Sequence, residues 1–249
     1  MRMFTDTMTI ASGTWRRVLR VKEVYFLIVC VLVLIGSAYN YDILSMGEHK
    51  PLMIDVSLLL NTIAAILVAL SASFEIPREL REGVASTLLS KPLGRTSYLA
   101  GKLVGTSIAG FAICGLILLG FCLVFNFFFS GEVMTSMFQT HVLVLFSVVP
   151  MTAISIFFSV FIPEMLAPIL TACAIWFAHN APVLLTKPAT KLLYGGIIPD
   201  LNLFNLKAQA VYSASVSWPY LGVALAWGVA YSVFAIAVAS LIFSQKDLK

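Results

Sequence analysis

Residues 98–129 read YLAGKLVGTSIAGFAICGLILLGFCLVFNFFF, an apolar run in which Lys102 carries the only charge. At 1.5 Å per residue, a helix of this length reaches about 45 Å, whereas the hydrocarbon core of a bilayer is about 30 Å thick. The run therefore predicts a transmembrane helix that either tilts or projects beyond one membrane surface.

The rest of the chain has a similar composition. Of its 249 residues, 60% are hydrophobic and 11% are charged, and the mean hydropathy is +0.96. Soluble domains contain about 45–50% apolar and about 25% charged residues, so these values exclude a water-soluble enzyme, a disordered chain, a coiled coil and collagen. We predict an all-α polytopic membrane protein, with residues 1–249 forming a single transmembrane domain.

Six transmembrane helices are predicted where apolar runs end at charged residues, proline or glycine, over residues 23–39, 52–74, 98–129, 140–162, 163–185 and 218–243. An even number of spans places both termini on one side of the membrane. With cytoplasmic termini, only Lys50, Lys187, Lys191 and Lys207 lie outside, and the other 12 of the 16 basic residues lie inside. This asymmetry follows the positive-inside rule, so we predict that both termini are cytoplasmic.

The segment before the first span has an amphipathic pattern. In residues 1–22, the apolar side chains Phe4, Met8, Ala11, Trp15 and Val18 recur at helical spacing, with arginines on the other faces. The pattern predicts an amphipathic helix at the inner membrane–water interface, or equally an ordinary basic anchor.

The segment before the last span is residues 186–217. It is apolar but broken by glycine and proline, which predicts a segment that re-enters the outer leaflet or caps the bundle.

The loop between the second and third spans, residues 75–97, reads EIPRELREGVASTLLSKPLGRTS. Pro77 suits a first helical turn, and Ile76, Leu80, Val84 and Leu88 form a stripe at i, i+4 spacing, which predicts a short amphipathic helix. Arg78 and Glu82 are spaced to form an ion pair on it. The alternative is a solvated hairpin whose charges only set the topology.

No pattern of residues predicts catalysis, a metal site or a bound cofactor. The four cysteines lie inside apolar runs, and the three histidines lie in separate segments without metal-ligand spacing. Residues 94–102 contain a Gly-Lys pair but do not match a phosphate-binding loop. We expect no nucleic-acid partner, because the placement of Lys and Arg is explained by membrane topology. Gly101, Gly105 and Ala109 predict a face for close helix packing.

Residues 79–102, ELREGVASTLLSKPLGRTSYLAGK, resemble the signature of type-2 ABC transporter permeases. The similarity lies in an acidic residue and glycine, a Leu-Leu pair, a basic-Pro pair, an arginine, a tyrosine and a Gly-Lys pair. These positions are Glu82, Gly83, Leu88, Leu89, Pro92, Arg95, Tyr98, Gly101 and Lys102. The tail IFSQKDLK and the stretch IIPDLNLFNL are also similar to that family. Val84-Ala85 and Gln245 depart from its usual pattern.

The resemblance implies a multi-pass protein of the bacterial inner membrane that works as a dimer, here expected to be a homodimer. Two separate ATPase subunits would bind ATP and Mg²⁺ on the cytoplasmic face, so this chain would be non-catalytic and hold no cofactor. The loop at residues 75–97 would be the coupling helix that contacts the ATPase. The residues implied in coupling are Arg78, Glu79, Arg81, Glu82, Gly83, Pro92, Arg95 and Glu164.

The family also implies a translocation pathway between two permeases, lined by spans 1, 2 and 5. These spans are almost wholly apolar here, with Asn61, Thr62 and Asn180 as polar exceptions, which favours export of an amphipathic or lipid-like substrate. One alternative is a non-conducting subunit that transmits ATPase motion to an extracytoplasmic partner protein. Another is a scaffold or enzyme subunit unrelated to ABC transporters. Membrane lipid is a partner in every case.

Overall fold

The computed structural model describes residues 2–20, 22–40, 48–89, 94–130, 135–184, 199–212, 214 and 216–245, and all regular secondary structure within them is helical. The helices are α1 (Arg2–Arg20), α2 (Lys22–Ser37), α3 (His49–Arg81), α4 (Val84–Leu89), α5 (Arg95–Phe129), α6 (Thr135–Phe161), α7 (Ala167–Leu184), α8 (Lys207–Val211) and α9 (Trp218–Ser244). Short 3₁₀ turns cover Ala38–Asn40 and Leu201–Phe204.

Four of these helices, α3, α5, α6 and α9, are long and apolar enough to cross a membrane. They correspond to the predicted spans 2, 3, 4 and 6, which are thereby confirmed as helices of spanning length. The protein is therefore membrane-embedded. Helix α2 overlaps the predicted span 1 but begins one residue earlier and ends two residues sooner, and α7 lies within the predicted span 5.

Helices α3, α6 and α9 end, and helices α5 and α7 begin, at the same end of the bundle, which gives the bundle two distinct ends. At one end, Arg81 near the end of α3 contacts Glu164 in the turn between α6 and α7, and Arg95 at the start of α5 contacts Ser244 at the end of α9. At the opposite end, Lys207 of α8 contacts Asp55 near the start of α3. We call the end that carries Arg81, Glu164 and Arg95 the charged end.

Helix α1 packs closely along the start of α5. A Cβ atom on Gly101 would lie 2.9 Å from the Thr7 carbonyl oxygen, and one on Gly105 would lie 2.7 Å from the Ala11 carbonyl oxygen. A step of four residues in α1 thus matches a step of four residues in α5, so the two helices run side by side in the same direction. The prediction of close packing at Gly101 and Gly105 is confirmed.

The helix predicted within residues 1–22 is present as α1, and small side chains of α1 pack against the bundle. Ala11, Thr14 and Val18 are buried there, whereas Phe4 and Met8 are exposed. Ala11 and Thr14 lie against Gly105, where their small size allows the two helices to approach closely. The placement of α1 in the inner interface stays a prediction.

Helix α3 is longer than the predicted span 2, and this corrects the prediction of a separate helix that begins at Pro77. The helix continues to Arg81, with Pro77 inside it and both Ile76 and Pro77 buried. Proline removes one backbone hydrogen bond, but contacts with neighbouring helices can compensate for this loss in membrane proteins. The break comes instead at Gly83, whose φ of 72° lies in the left-handed region that glycine adopts readily.

The segment before α9 inserts some of its apolar side chains into the bundle, as far as the structure describes it. Leu201 and Phe204 are buried among side chains of α6, α7 and α9. A Cβ atom on Gly228 would lie 2.9 Å from the tip of the Phe204 ring. Gly228 is about 15 Å along α9 from Trp218, so the ring reaches the middle third of that helix. Residues 186–198 of the predicted segment lie outside the described residues.

Candidate functional site at the charged end

Five side chains from three helices form an ionic cluster at the charged end. The Lys102 ammonium lies 2.6 Å from Oε1 of Glu75 and 2.7 Å from Oε1 of Glu79. Arg17 lies 2.9 Å and 2.7 Å from the same two oxygens. The Tyr98 hydroxyl donates a hydrogen bond of 2.6 Å to Oε2 of Glu79. Two carboxylates are thus matched by two cations.

Helical spacing explains why these side chains meet. Glu75 and Glu79 are four residues apart on α3, and Tyr98 and Lys102 are four residues apart on α5, so each pair lies on one face of its helix. Helix α1 follows the start of α5 and brings Arg17 to the same place. The cluster therefore fixes the positions of α1, α3 and α5 relative to one another.

The cluster is largely removed from water. The side chains of Glu79 and Lys102 are only 5% and 4% exposed, whereas that of Arg17 is 58% exposed. The Glu79 carboxylate faces the positive charges of Lys102 and Arg17 and accepts a hydrogen bond from the Tyr98 hydroxyl. The ionised carboxylate is therefore the form that the site stabilises.

A second contact joins α5 to the end of α9. The Arg95 guanidinium donates hydrogen bonds to the carbonyl oxygens of Phe243 and Ser244 and lies over the Phe243 ring, 5.6 Å from its centre. The last carbonyls of a helix have no partner within the helix and carry partial negative charge. Arg95 therefore caps α9 and also anchors the start of α5.

Other charged residues at this end reach the surface. Arg78 and Glu82 form an ion pair of 2.8 Å, and their side chains are 65% and 45% exposed. Arg81 at the end of α3 forms an ion pair with Glu164 in the turn between α6 and α7. The Arg81 side chain is mostly exposed, and that of Glu164 is partly buried. Next to Glu164, Met165 and Leu166 are exposed apolar side chains. These residues form a mixed charged and apolar surface suited to a protein partner.

The structure separates the residues that the resemblance implied in coupling into two groups. Arg78, Arg81, Glu82 and Glu164 lie at the surface, with Gly83 in the turn beside them. Glu79 is buried and Arg95 is engaged with α9, so the expectation that these two side chains contact a partner is revised to a positioning role. Pro92 lies outside the described residues.

Sequence reasoning missed the cluster partners Arg17, Glu75, Tyr98 and Lys102 as a unit. The sequence does contain a signal for this cluster. Glu75 and Glu79 lie four residues apart after one predicted span, and Lys102 lies one helical turn inside the next. A lysine or glutamate at a span boundary usually has a partner of opposite charge. The predicted boundaries place Glu79 in a loop, where a pairing between neighbouring spans is not expected.

The side chains of the cluster are engaged in ion pairs and hydrogen bonds between helices. Within the described residues, no group of three or more His, Cys, Asp or Glu side chains could hold a metal ion. The arrangement can hold helices together and present charges to a partner. No family model matches the chain, and no curated protein is significantly similar to it.

Proposed function

We propose that the chain is the transmembrane permease subunit of an ATP-driven ABC transporter, which forms a dimer and is coupled to two separate ATPase subunits. In this proposal, the charged end faces the cytoplasm of a bacterial cell and both termini lie on that side. The chain spans the membrane six times, with α2 and α7 as the first and fifth spans. The segment around Phe204 re-enters the membrane from outside. The cargo is an amphipathic or lipid-like molecule.

One observation carries the proposal. The last turn of α3 and the residue after it leave Arg78, Arg81 and Glu82 exposed, while buried ion pairs join the same part of α3 to the start of α5. A helix end joined in this way can transmit a push from a partner to both α3 and α5, because the ion pairs couple the two helices. This is the property that a coupling segment needs.

The proposal is tested by exchanging the exposed charges at residues 78 and 82. The double variant Arg78→Glu/Glu82→Arg keeps an ion pair at i, i+4 spacing but reverses the pattern presented to a partner. We expect the variant to remain folded and to lose most of the ATPase that co-purifies with the wild-type protein from its native cells. Mass spectrometry of the purified complex measures the amount of a partner that contains a phosphate-binding loop.

The matched control is Arg16→Glu, which reverses an exposed charge on α1. It is expected to retain the ATPase. Equal recovery of the ATPase with the double variant would reject residues 78–82 as the contact. Absence of any ATPase from the wild-type preparation would reject the ABC assignment and favour a scaffold.

A further inference from the structure

A groove runs along one face of α3 from the middle of the membrane to the charged end. It is a cavity of about 460 Å³ between α3 and the first two helices. Its wall extends from Ala64 of α3 to Glu82, the residue that follows α3, a distance of about 27 Å at 1.5 Å per residue. The volume falls in the range of about 300–1,000 Å³ that small-molecule sites occupy.

The groove changes from apolar to charged along its length. Its deeper part is lined by Ala64, Leu67 and Val68 of α3, with Leu27 of α2 opposite them. Beyond Ser71, the lining changes to glutamates and arginines. The transition occurs where the predicted span 2 ends, so the apolar part lies at the depth of the acyl chains and the charged part at the depth of the headgroups.

Charges of both signs surround the mouth of the groove. Arg17 and Arg78 are mostly exposed, and Glu82 is 45% exposed. Arg17 contacts both cluster glutamates through a single terminal nitrogen, and Arg78 contacts Glu82 through Nε. Each guanidinium carries further N–H donors that can bind a phosphate, and the second oxygen of the Glu82 carboxylate can accept from an ammonium.

We propose that this groove binds a zwitterionic phospholipid of the inner leaflet, whose headgroup combines a phosphate with a primary ammonium. One acyl chain lies along Ala64, Leu67 and Val68. The phosphate accepts hydrogen bonds from Arg17 and Arg78, and the ammonium donates to Glu82. A purely anionic headgroup would leave the Glu82 carboxylate close to the phosphate without a new partner, whereas the zwitterion matches both signs of charge.

The inference rests on the proposed function for the leaflet that the charged end faces and for the meaning of the lipid as cargo, and the binding itself requires no ATPase. The test therefore uses the full chain alone, in vesicles that contain equal amounts of phosphatidylethanolamine and phosphatidylglycerol. A photoreactive side chain replaces Leu67, which is 47% exposed in the groove. The control carries the same group in place of Leu119, a 63% exposed residue of α5 that is outside the groove lining. Mass spectrometry identifies the lipid in each adduct.

We expect the ratio of ethanolamine to glycerol lipid at position 67 to exceed that at position 119 by about threefold or more. Adding Arg78→Gln and Glu82→Gln should reduce the ratio at position 67 to the control value. Equal ratios at both positions in the unsubstituted background would overturn the proposal, because they would describe ordinary boundary lipid. An adduct between two copies of the chain at position 67 would also overturn it, since a second copy would then cover the groove.

Discussion

Glu79 has a structural role in the bundle and does not present its side chain to a partner. Its carboxylate accepts from Lys102 and Tyr98 and lies almost wholly out of water. The sequence predicts that Glu79 has a functional role, but it does not predict whether the side chain points into the protein or into water. The side chain points inwards because α3 continues as a helix past Phe74. A hydropathy profile does not predict this continuation, because the additional helical turns contain charged residues.

Removal of Lys102 tests the cluster at the level of one side chain. Lys102→Met leaves Glu75 and Glu79 with Arg17 as their remaining cation, and breaking a buried ion pair lowers stability by about 3–5 kcal/mol. We expect a clear fall in the free energy of unfolding, measured by reversible denaturation in detergent micelles. Glu79→Gln added to Lys102→Met should restore part of the loss, because the unpaired carboxylate is then removed.

Lys22→Met is the control for this prediction, since it removes a lysine that is exposed at the start of α2. It should change the stability by less than about 0.5 kcal/mol. If Lys102→Met has an effect as small as this control, the cluster does not hold the helices together.

At the scale of elements, the sequence predicts a helix end well where the apolar run itself ends there, and poorly where contacts with other helices determine the end. The end of α5 at Phe129 agrees with the predicted boundary, because polar residues follow the apolar run directly. Helix α6 begins five residues before the predicted span at 140, because Ser136 and Gln139 are polar yet buried. The glycine spacing on α5 predicted a packing face, but the identity of α1 as its partner required the three-dimensional structure.

The contact between α1 and α5 is tested by Gly105→Ala. The new methyl group would lie 2.7 Å from the Ala11 carbonyl oxygen and from the Thr14 Cβ, so the helices must move apart. Overpacking of this kind lowers stability by about 1–3 kcal/mol, and we expect a loss of that size in thermal unfolding in detergent.

Gly115→Ala provides a control within the same helix. A Cβ atom there would contact only Leu145, at 3.9 Å, which is an ordinary van der Waals distance. Stability should be unchanged or increased, because alanine favours a helix over glycine by about 1 kcal/mol. Similar losses in both variants would mean that any alanine in α5 is unfavourable, and the specific contact with α1 would then be unsupported.

At the scale of the whole molecule, the two ends of the bundle are held by different physical means. Ion pairs and a guanidinium cap join the helices at the charged end. Towards the other end, the ring of Phe204 enters between helices and contacts Gly228. The sequence suggested such a buried outer segment from its apolar residues, but not the residue that inserts most deeply. The contact between Phe204 and Gly228 joins residues that are far apart in the sequence, so only the three-dimensional structure identifies it.

Phe204→Ala should release the segment before α9 and leave the charged end intact. A buried phenylalanine replaced by alanine typically lowers stability by about 3–5 kcal/mol, and the loss here falls on the segment that the ring anchors. We expect faster hydrogen exchange of the amides of residues 201–206, measured by mass spectrometry, and unchanged exchange in residues 95–105. Faster exchange at both ends would indicate that the bundle unfolds as one cooperative unit.

The ionic cluster also has a consequence for how the protein is made. Of the cluster residues, Arg17 leaves the ribosome first and Glu75 and Glu79 follow, and Lys102 comes 23 residues after Glu79, or about 1–5 seconds later at ordinary rates of synthesis. Before Lys102 appears, helix α3 would bring two carboxylates to the membrane boundary with only Arg17 to match them, and α5 alone would bring an unpaired lysine, each at a cost in free energy. Entry of the two helices as a hairpin neutralises these charges during insertion, so the pairing that stabilises the mature protein also favours its correct biogenesis.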